Sequence, residues 1–394
     1  MLTTFRSYQA LFFKKHNFSY QRKIFEDFNF NDNLIGLLGP RGVGKTTFLI
    51  QYLKHSSLDI KKKLYISADM LGDYSLLEVG LEFEKKGGEL FIIDEIHKYP
   101  NFEKELKNLY DLTQLKIIFS GSSALAIDNK KGDLSRRAVI YTIYGLSFRE
   151  FLELNNGISL PVYTLDEILQ NHIEIAYHLT TLIKPYEYFE TYLRYGYYPF
   201  YFQNKETYSL KLRETINTVI EVDIPSIFSI EYEYIVKLKK LVNLICNSLP
   251  FKINIKALSE KIALKNYQTL YKYLYFLDKA SILKTINQKS RGDLIFTKPD
   301  KIYLHNTNLH FSYCENYEIG TIREVFFMSM LIHKYNLQIP KHGDFIVNDA
   351  TFEIGRKNKT KKQIKGVSNS YIVKDDILVG HDNIIPLWIF GFLY

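Results

Sequence analysis

The sequence predicts an α/β front portion, a parallel sheet with helices on both faces, and three observations carry the prediction. Short apolar runs recur at 34–38, 63–68, 90–94, 116–120 and 138–143, separated by helix-like stretches. The first run enters a glycine-rich loop, Gly39-Pro40-Arg41-Gly42-Val43-Gly44-Lys45-Thr46, followed by a helical run over 46–55. The third run, Leu90-Phe91-Ile92-Ile93, ends in two acids, Asp94-Glu95.

The loop is a full match to the phosphate-binding P-loop. Glycines at 39, 42 and 44 let the backbone curl so that its N–H groups point inward, and the next helix adds the positive end of its dipole. Lys45 then reaches the terminal phosphates, Thr46 offers a hydroxyl to Mg²⁺, and Gly39 through Thr47 form the nucleotide contact. The acids after the third run have the form of a Walker B strand end. Asp94 would hold Mg²⁺ through water and Glu95 would polarise the attacking water. Alone, either pattern occurs by chance; in this order they predict ATP with Mg²⁺, bound at the carboxyl ends of the strands.

Two further positions bear on hydrolysis. Ser120 closes the apolar run Lys116-Ile117-Ile118-Phe119, where it reads either as a sensor of the γ-phosphate or as part of a serine-rich turn. Arg136 and Arg137 precede the last run, after Asp128-Asn129-Lys130-Lys131-Gly132-Asp133. They read as an arginine finger, in cis or toward a neighbouring subunit, or as a surface basic pair.

At 394 residues the chain exceeds one hydrophobic core, and roughly two to three domains are expected. A formal charge of +8 favours an acidic partner such as nucleic acid, unless it only reflects biased composition. No apolar stretch approaches the roughly 20 residues that span a bilayer. The first residues also lack a signal-peptide core, so a cytoplasmic protein without a membrane segment is expected. Cys246 and Cys314 lack metal-ligand spacing and read as buried free thiols rather than a disulfide.

In the back half, Ile235, Leu238, Leu241, Val242 and Ile245 recur at helical spacing over Tyr232 to Cys246. The short Ile253-Asn254-Ile255 follows, then helices over Lys256 to Ala263 and Asn266 to Leu277. Apolar runs at Ile282 to Ile286 and Leu294 to Phe296 flank the turn-rich Gln288 to Asp293, which suggests a hairpin wing. Three helices and such a hairpin suit a winged helix-turn-helix, with Lys265, Asn266, Gln268 and Lys272 as the polar face and Leu270, Leu274 and Leu277 inward. Winged helices contact proteins as well as DNA, so the partner stays open.

The ordered series of segments resembles the AAA+ ATPases of bacteria and archaea that carry a C-terminal domain of unknown function. The matching pieces are Gly39-Pro40-Arg41 with Gly44-Lys45-Thr46-Thr47, Asp94-Glu95-Ile96-His97 and Ser120-Gly121-Ser122-Ser123. Beyond them come Arg137 and Tyr144-Gly145-Leu146-Ser147-Phe148-Arg149-Glu150-Phe151, similar to an "LSF-x-EF" signature. Tyr192-Leu193-Arg194-Tyr195-Gly196-Tyr197-Tyr198-Pro199 is similar to a "YL-xx-GG-xP" segment, with Tyr197 in place of the second glycine. The resemblance spans nearly the whole chain. It implies an AAA+-like P-loop domain over 1–150, a helical segment over 151–230, a winged-helix domain over 231–305 and a restriction-endonuclease-like α+β domain over 306–394.

Within that last segment Glu324, Asp344 and Glu353 stand in the order helix, strand, strand. They resemble the metal-binding carboxylates of PD-(D/E)xK nucleases. The lysine usually found two residues after the second acid is replaced by Gly355; Lys357, Lys359 and Lys362 stand nearby, in a basic run from Arg356. Cleavage is therefore the less favoured reading. His97 follows the second motif, while His305, His310, His333, His342 and His381 lack metal-ligand spacing and read as structural or surface residues.

The function expected is an ATP-binding, Mg²⁺-dependent ATPase whose cycle controls a winged-helix and nuclease-like module. Alternatives are a nucleotide-switched module for nucleic acid or protein with negligible turnover, and a metal-dependent nuclease. A protein partner or self-association is compatible with each.

Overall fold

The five apolar runs become five parallel strands in a computed structural model that describes residues 1–16, 18–121, 134, 136–225, 232–246, 255–264, 266–288 and 298–394. They are β1 (Leu34–Leu38), β2 (Lys63–Ser67), β3 (Leu90–Asp94), β4 (Lys116–Gly121) and β5 (Val139–Thr142), ordered β2-β3-β4-β1-β5. β1, β2 and β3 are buried along their whole length, as continuous apolar runs in a covered parallel sheet require.

Four helices accompany the sheet: α1 (Leu2–Lys15), α2 (Lys45–His55), α3 (Leu76–Lys85) and α4 (Phe102–Leu112). The β1-to-β2 connection carries α2 across the sheet one way, and α3 and α4 return the other way. Right-handed crossovers therefore put α2 on one face and α3 with α4 on the opposite face. Gly80 lets those two helices close up, since a Cβ there would fall 2.3 Å from the Leu109 side chain. Every strand thus presents its carboxyl end at one edge of the sheet. This parallel sheet with its helices is a P-loop NTPase α/β fold.

These elements form the first of two compact units, Met1–Gly145, and Leu146–Tyr394 forms the second. The second begins with α5 (Phe148–Asn156), α6 (Leu165–Leu182), α7 (Pro185–Thr191), a π-turn at Tyr192–Gly196, and α8 (Tyr208–Thr218). Both signature segments have a structural cause here. Ser147 and Glu150 form a reciprocal capping box that starts α5, while Phe148 and Phe151 are fully buried. The π-turn is clamped by Asn308, whose Nδ2 donates to Tyr192 O at 3.1 Å and Leu193 O at 2.8 Å. Its Oδ1 accepts from Tyr197 N–H at 2.8 Å. Gly196 must lack a Cβ, because one would sit 2.2 Å from the Tyr192 ring.

Next come α9 (Tyr232–Cys246), α10 (Ile255–Lys261) and α11 (Tyr267–Lys279), then the antiparallel pair β6 (Leu283–Ile286) and β7 (Lys301–Leu304). On α11, Leu270, Leu274 and Leu277 are buried as expected. Ile253, Asn254, Lys265 and the expected second wing strand, Leu294 to Phe296, lie outside the described residues. The strand that pairs with β6 is the later one at 301–304. Finally α12 (Thr307–Tyr313) and α13 (Ile319–Leu331) precede a mixed sheet of β8 (Leu337–Gln338), β9 (Phe345–Val347), β10 (Ala350–Gly355), β11 (Ser370–Lys374) and β12 (Ile384–Pro386).

The Tyr208 hydroxyl donates to Asn308 Oδ1 at 2.5 Å across the expected boundaries at 230/231 and 305/306, within the one compact unit Leu146–Tyr394. One expectation is corrected. Cys246 and Cys314 are joined in a disulfide with Cα atoms 5.3 Å apart, not free. Sixty-eight residues separate them in sequence, and only the packing of the end of α9 beside the end of α12 brings them together. His305 and His310 are buried, which pushes both down to about 4, His333 is half-buried, and His342 and His381 are exposed. Among the described residues no helix is long and apolar enough to cross a membrane.

Candidate nucleotide site

The glycine-rich loop leaves the carboxyl end of β1 and closes into the first turn of α2, as its sequence requires. Gly42 and Gly44 adopt left-handed φ of 81° and 97°, and Gly44 is the N-cap of α2. Gly39 is needed for a different reason, since a Cβ there would lie 2.0 Å from the Ile143 carbonyl oxygen. Pro40 and Val43 are buried, while Arg41, Gly44, Thr46 and Thr47 are half-buried and Gly42 is exposed. Lys45 is buried, and its ammonium donates at 2.7 Å to both Gly39 O and Pro40 O. The loop thus holds its own cation at the mouth where a phosphate would arrive.

β3 brings Asp94 to the same edge, and four donors converge on it. Thr46 Oγ1 donates to Asp94 Oδ2 at 2.6 Å and Tyr65 OH to the same oxygen at 2.8 Å. Ser120 Oγ donates to Oδ1, which also accepts from Glu95 N–H at 3.1 Å. Glu95 N–H further donates to Ser120 Oγ at 3.2 Å. Ser120 is fully buried, so it belongs to this cluster rather than to an exposed turn.

Glu95 takes a left-handed backbone, φ 55° and ψ 37°, a conformation costly for a residue with a Cβ and frequent at functional sites. Its carboxylate lies 3.5 Å from Lys98 Nζ and 3.7 Å from His97 Nε2. Lys98 also pairs with Asp69 Oδ2 at 3.0 Å. Burial alone would raise the Asp69 carboxyl, but the Ser67 hydroxyl and Lys98 hold it below the usual carboxylate range.

A hydroxyl and a carboxylate side by side are the hard oxygen pair that Mg²⁺ takes, leaving its remaining positions to water and phosphate. Thr46 and Asp94 therefore fit that ion, and the site needs no cluster of acids to hold it.

Arg136 and Arg137 stand elsewhere. Val139 at the start of β5 pairs with Ile35, so both arginines precede the amino edge of the sheet, whereas the P-loop follows its carboxyl edge. Arg137 is bound to α4, Nε donating to Asp111 Oδ1 at 2.8 Å and a terminal nitrogen to Oδ2 at 2.9 Å. Ser122, Ser123 and residues 128–133 lie outside the described residues.

Sequence reading missed two residues at this site. Arg22 is buried and its guanidinium donates to Val43 O at 3.3 Å, Tyr144 O at 2.7 Å and Gly145 O at 2.8 Å, tying the P-loop to the segment after β5. Tyr65 is the other; nothing in Lys63-Leu64-Tyr65-Ile66-Ser67 marks it apart from any strand aromatic.

The second expected set, Glu324 on α13, Asp344 before β9 and Glu353 on β10, lies in the other unit. Its members do approach one another. Burial first, then the charge of Asp344, raises both glutamates above the usual carboxyl range. Lysines already fill the cluster, with Lys301 Nζ 3.3 Å from Glu324 and 3.5 Å from Asp344, and Lys359 Nζ paired with Glu353. The Lys359 side chain covers Gly355, coming within 2.6 Å of where its Cβ would be. Among the described residues no three or more His, Cys, Asp or Glu side chains are placed to hold a metal ion.

Comparison with known proteins agrees with the first site. Residues 31–152 match the model of a family described as AAA domain. This part of the chain is similar to an AAA domain, in keeping with its P-loop fold. An uncharacterized protein of Methanocaldococcus jannaschii is 30% identical over 292 residues, 70% of this chain, which spans 61% of that relative's length. AMPPCP-bound DnaA from Aquifex aeolicus is 15% identical, covering 65% of this chain and 85% of its own, with a TM-score of 0.25. The S. cerevisiae Hsp104–ADP complex is 19% identical, covering 62% of this chain and 35% of its own, with a TM-score of 0.28. Superposition at that level is too loose to carry any argument about this chain.

Proposed function

We propose that the chain is an AAA+-type, Mg²⁺-dependent ATPase, on the observation that Thr46 and Asp94 meet at 2.6 Å beside a closed P-loop. Loop N–H groups and Lys45 bind the phosphates, Lys45 exchanging its two carbonyl partners for phosphate oxygens. Thr46 and Asp94 would hold Mg²⁺, which would supply charge neutralisation for the phosphates. Glu95, released from Lys98, orients the attacking water, and Ser120 keeps Glu95 and Asp94 in register. Arg136 or Arg137 serves as a finger toward a neighbouring copy, because the register separates both from this chain's own P-loop.

The nucleotide cycle acts on Leu146–Tyr394. There the order of α9, α10, α11, β6 and β7 supports a winged helix, and α13 with β8–β12 supports a nuclease-like fold that does not cleave. An exposed basic stretch at Arg356, Lys357, Lys361 and Lys362 favours nucleic acid as the partner. Localisation in the cytoplasm completes this reading.

Purified Lys45→Ala and Glu95→Gln proteins test it: the first loses nucleotide binding and the second retains binding while losing turnover. Wild-type hydrolysis by both would remove the assignment. Duplex DNA binding that weakens steeply with salt supports the nucleic-acid partner, and no binding at low salt removes it.

A further inference from the structure

We propose that Tyr65 is a positioning residue for the Mg²⁺-binding carboxylate of Asp94, and that the N-terminal helix α1 sets Tyr65 in place through Gln9. The inference rests on the ATPase reading and adds to it a residue and an element outside the motifs.

β2 and β3 run parallel with Ser67 opposite Asp94, so Tyr65 stands two positions back on the same face of its strand. Two residues of strand rise about 6.6 Å, close to the length of a tyrosine side chain. The phenol therefore arrives beside Asp94 with its hydroxyl 2.8 Å from Oδ2.

The four donors on Asp94 have unequal duties. Thr46 holds Oδ2 here, yet the same hydroxyl is needed at Mg²⁺ once nucleotide binds. When Thr46 turns away, Tyr65 on Oδ2 and Ser120 on Oδ1 remain to aim the carboxylate from both sides. Tyr65 thus compensates Oδ2 for the donor it gives up.

Tyr65 is in turn gripped by α1. β2 is the edge strand of the sheet, and the Tyr65 N–H finds its acceptor in Gln9 Oε1 at 2.9 Å. The Phe12 ring lies 5.1 Å from the Tyr65 ring. Arg6 ties the same helix to the start of β2, donating to Ile60 O at 3.2 Å and Lys61 O at 2.7 Å. A buried glutamine, 3% exposed, whose amide oxygen serves that one backbone N–H, is more than apolar packing would call for.

Tyr65→Phe removes the hydroxyl and keeps the ring. Binding of a fluorescent ATP analogue is titrated with Mg²⁺ and repeated in EDTA, with thermal melts as a fold control. The Mg²⁺ midpoint is expected to rise roughly 10-fold, the low end for losing a hydrogen bond to a metal-binding group, with affinity in EDTA and the melt unchanged. Gln9→Ala is expected to shift the midpoint the same way by less. An unchanged midpoint in Tyr65→Phe overturns the positioning role. Absence of nucleotide binding by the wild-type chain in both conditions overturns the ATPase reading instead.

Discussion

Thr46 Oγ1 donates to Asp94 Oδ2 at 2.6 Å, joining the first turn of α2 to the end of β3 across 48 residues of sequence. These are the two groups proposed to hold Mg²⁺, and they are in direct contact. Thr46→Ala should lower hydrolysis by about 10²- to 10³-fold, the usual cost of removing one group that stabilises developing charge. Binding of ATP in EDTA should stay near wild type. Measuring both in parallel separates a metal role from a phosphate role.

Gly39 has no room for a side chain, because a Cβ would meet the Ile143 carbonyl oxygen at 2.0 Å, and that atom belongs to backbone. Gly39→Ala should therefore destabilise Met1–Gly145 by about 3 kcal/mol or more, among the large effects tied to overpacking. Gly320→Ala in α13 meets nothing within 4 Å and should be neutral or slightly stabilising. Urea melts of the two variants give the contrast.

Asn308 is fully buried and its side chain serves four groups around the π-turn. Asn308→Ala removes these hydrogen bonds from buried groups, at about 1–3 kcal/mol for each group left unsatisfied. Loss of the folded second unit, seen as a lowered or vanished transition in chemical denaturation, is the expected outcome. A shift within error would mean the π-turn holds itself.

Glu324 gives a pH signature. Burial, then Asp344, raises its folded pKa above the ordinary glutamate value, about 4.3. Between those two values the folded chain holds the proton that the unfolded chain has released. The stability it contributes is complete below the ordinary value and is lost as pH rises through the folded value. Glu324→Gln should remove that loss, so its urea midpoint should gain on wild type as pH rises from about 5 to about 8. Parallel curves would show that Lys301 keeps the carboxylate charged throughout.

Arg137 is held by Asp111 at the amino edge of the sheet, and the proposed finger would have to serve another copy's nucleotide. Mixing Arg137→Ala with Lys45→Ala protein should then restore hydrolysis above either alone, because one copy supplies an intact P-loop and the other an intact finger. Strict additivity of two inactive proteins would leave Arg137 as a surface ion pair.

The strands of the first sheet were legible because parallel strands covered on both faces are mainly apolar, and five mainly apolar runs stand out, although β5 is only half-buried. The P-loop and Asp94-Glu95 were legible because close approach to phosphate demands glycine, and a metal demands a carboxylate at a strand end. Tyr65, Arg22 and Gln9 were not. Their hydrogen bonds connect residues 29, 21 to 123 and 56 positions apart, and local pattern carries no record of such pairs.

Leu146–Tyr394 shows the same division from the other side. Helical spacing announced α9 and α11, and the order of Glu324, Asp344 and Glu353 resembled a carboxylate set without telling whether the three acids meet. Sequence could not tell that Lys301 and Lys359 would fill the space between them, nor that Cys246 would reach Cys314. By itself, then, the sequence determined the nucleotide loop, the sheet that carries it and the identity of the acid beside it, because each depends on neighbours a few residues away. Only the tertiary structure decided which donors aim that acid, on which edge of the sheet the arginines stand, and that the second carboxylate cluster is closed by lysines. Those outcomes depend on strand order, register and burial, where charges and hydrogen bonds far apart in the chain are brought together and must be satisfied.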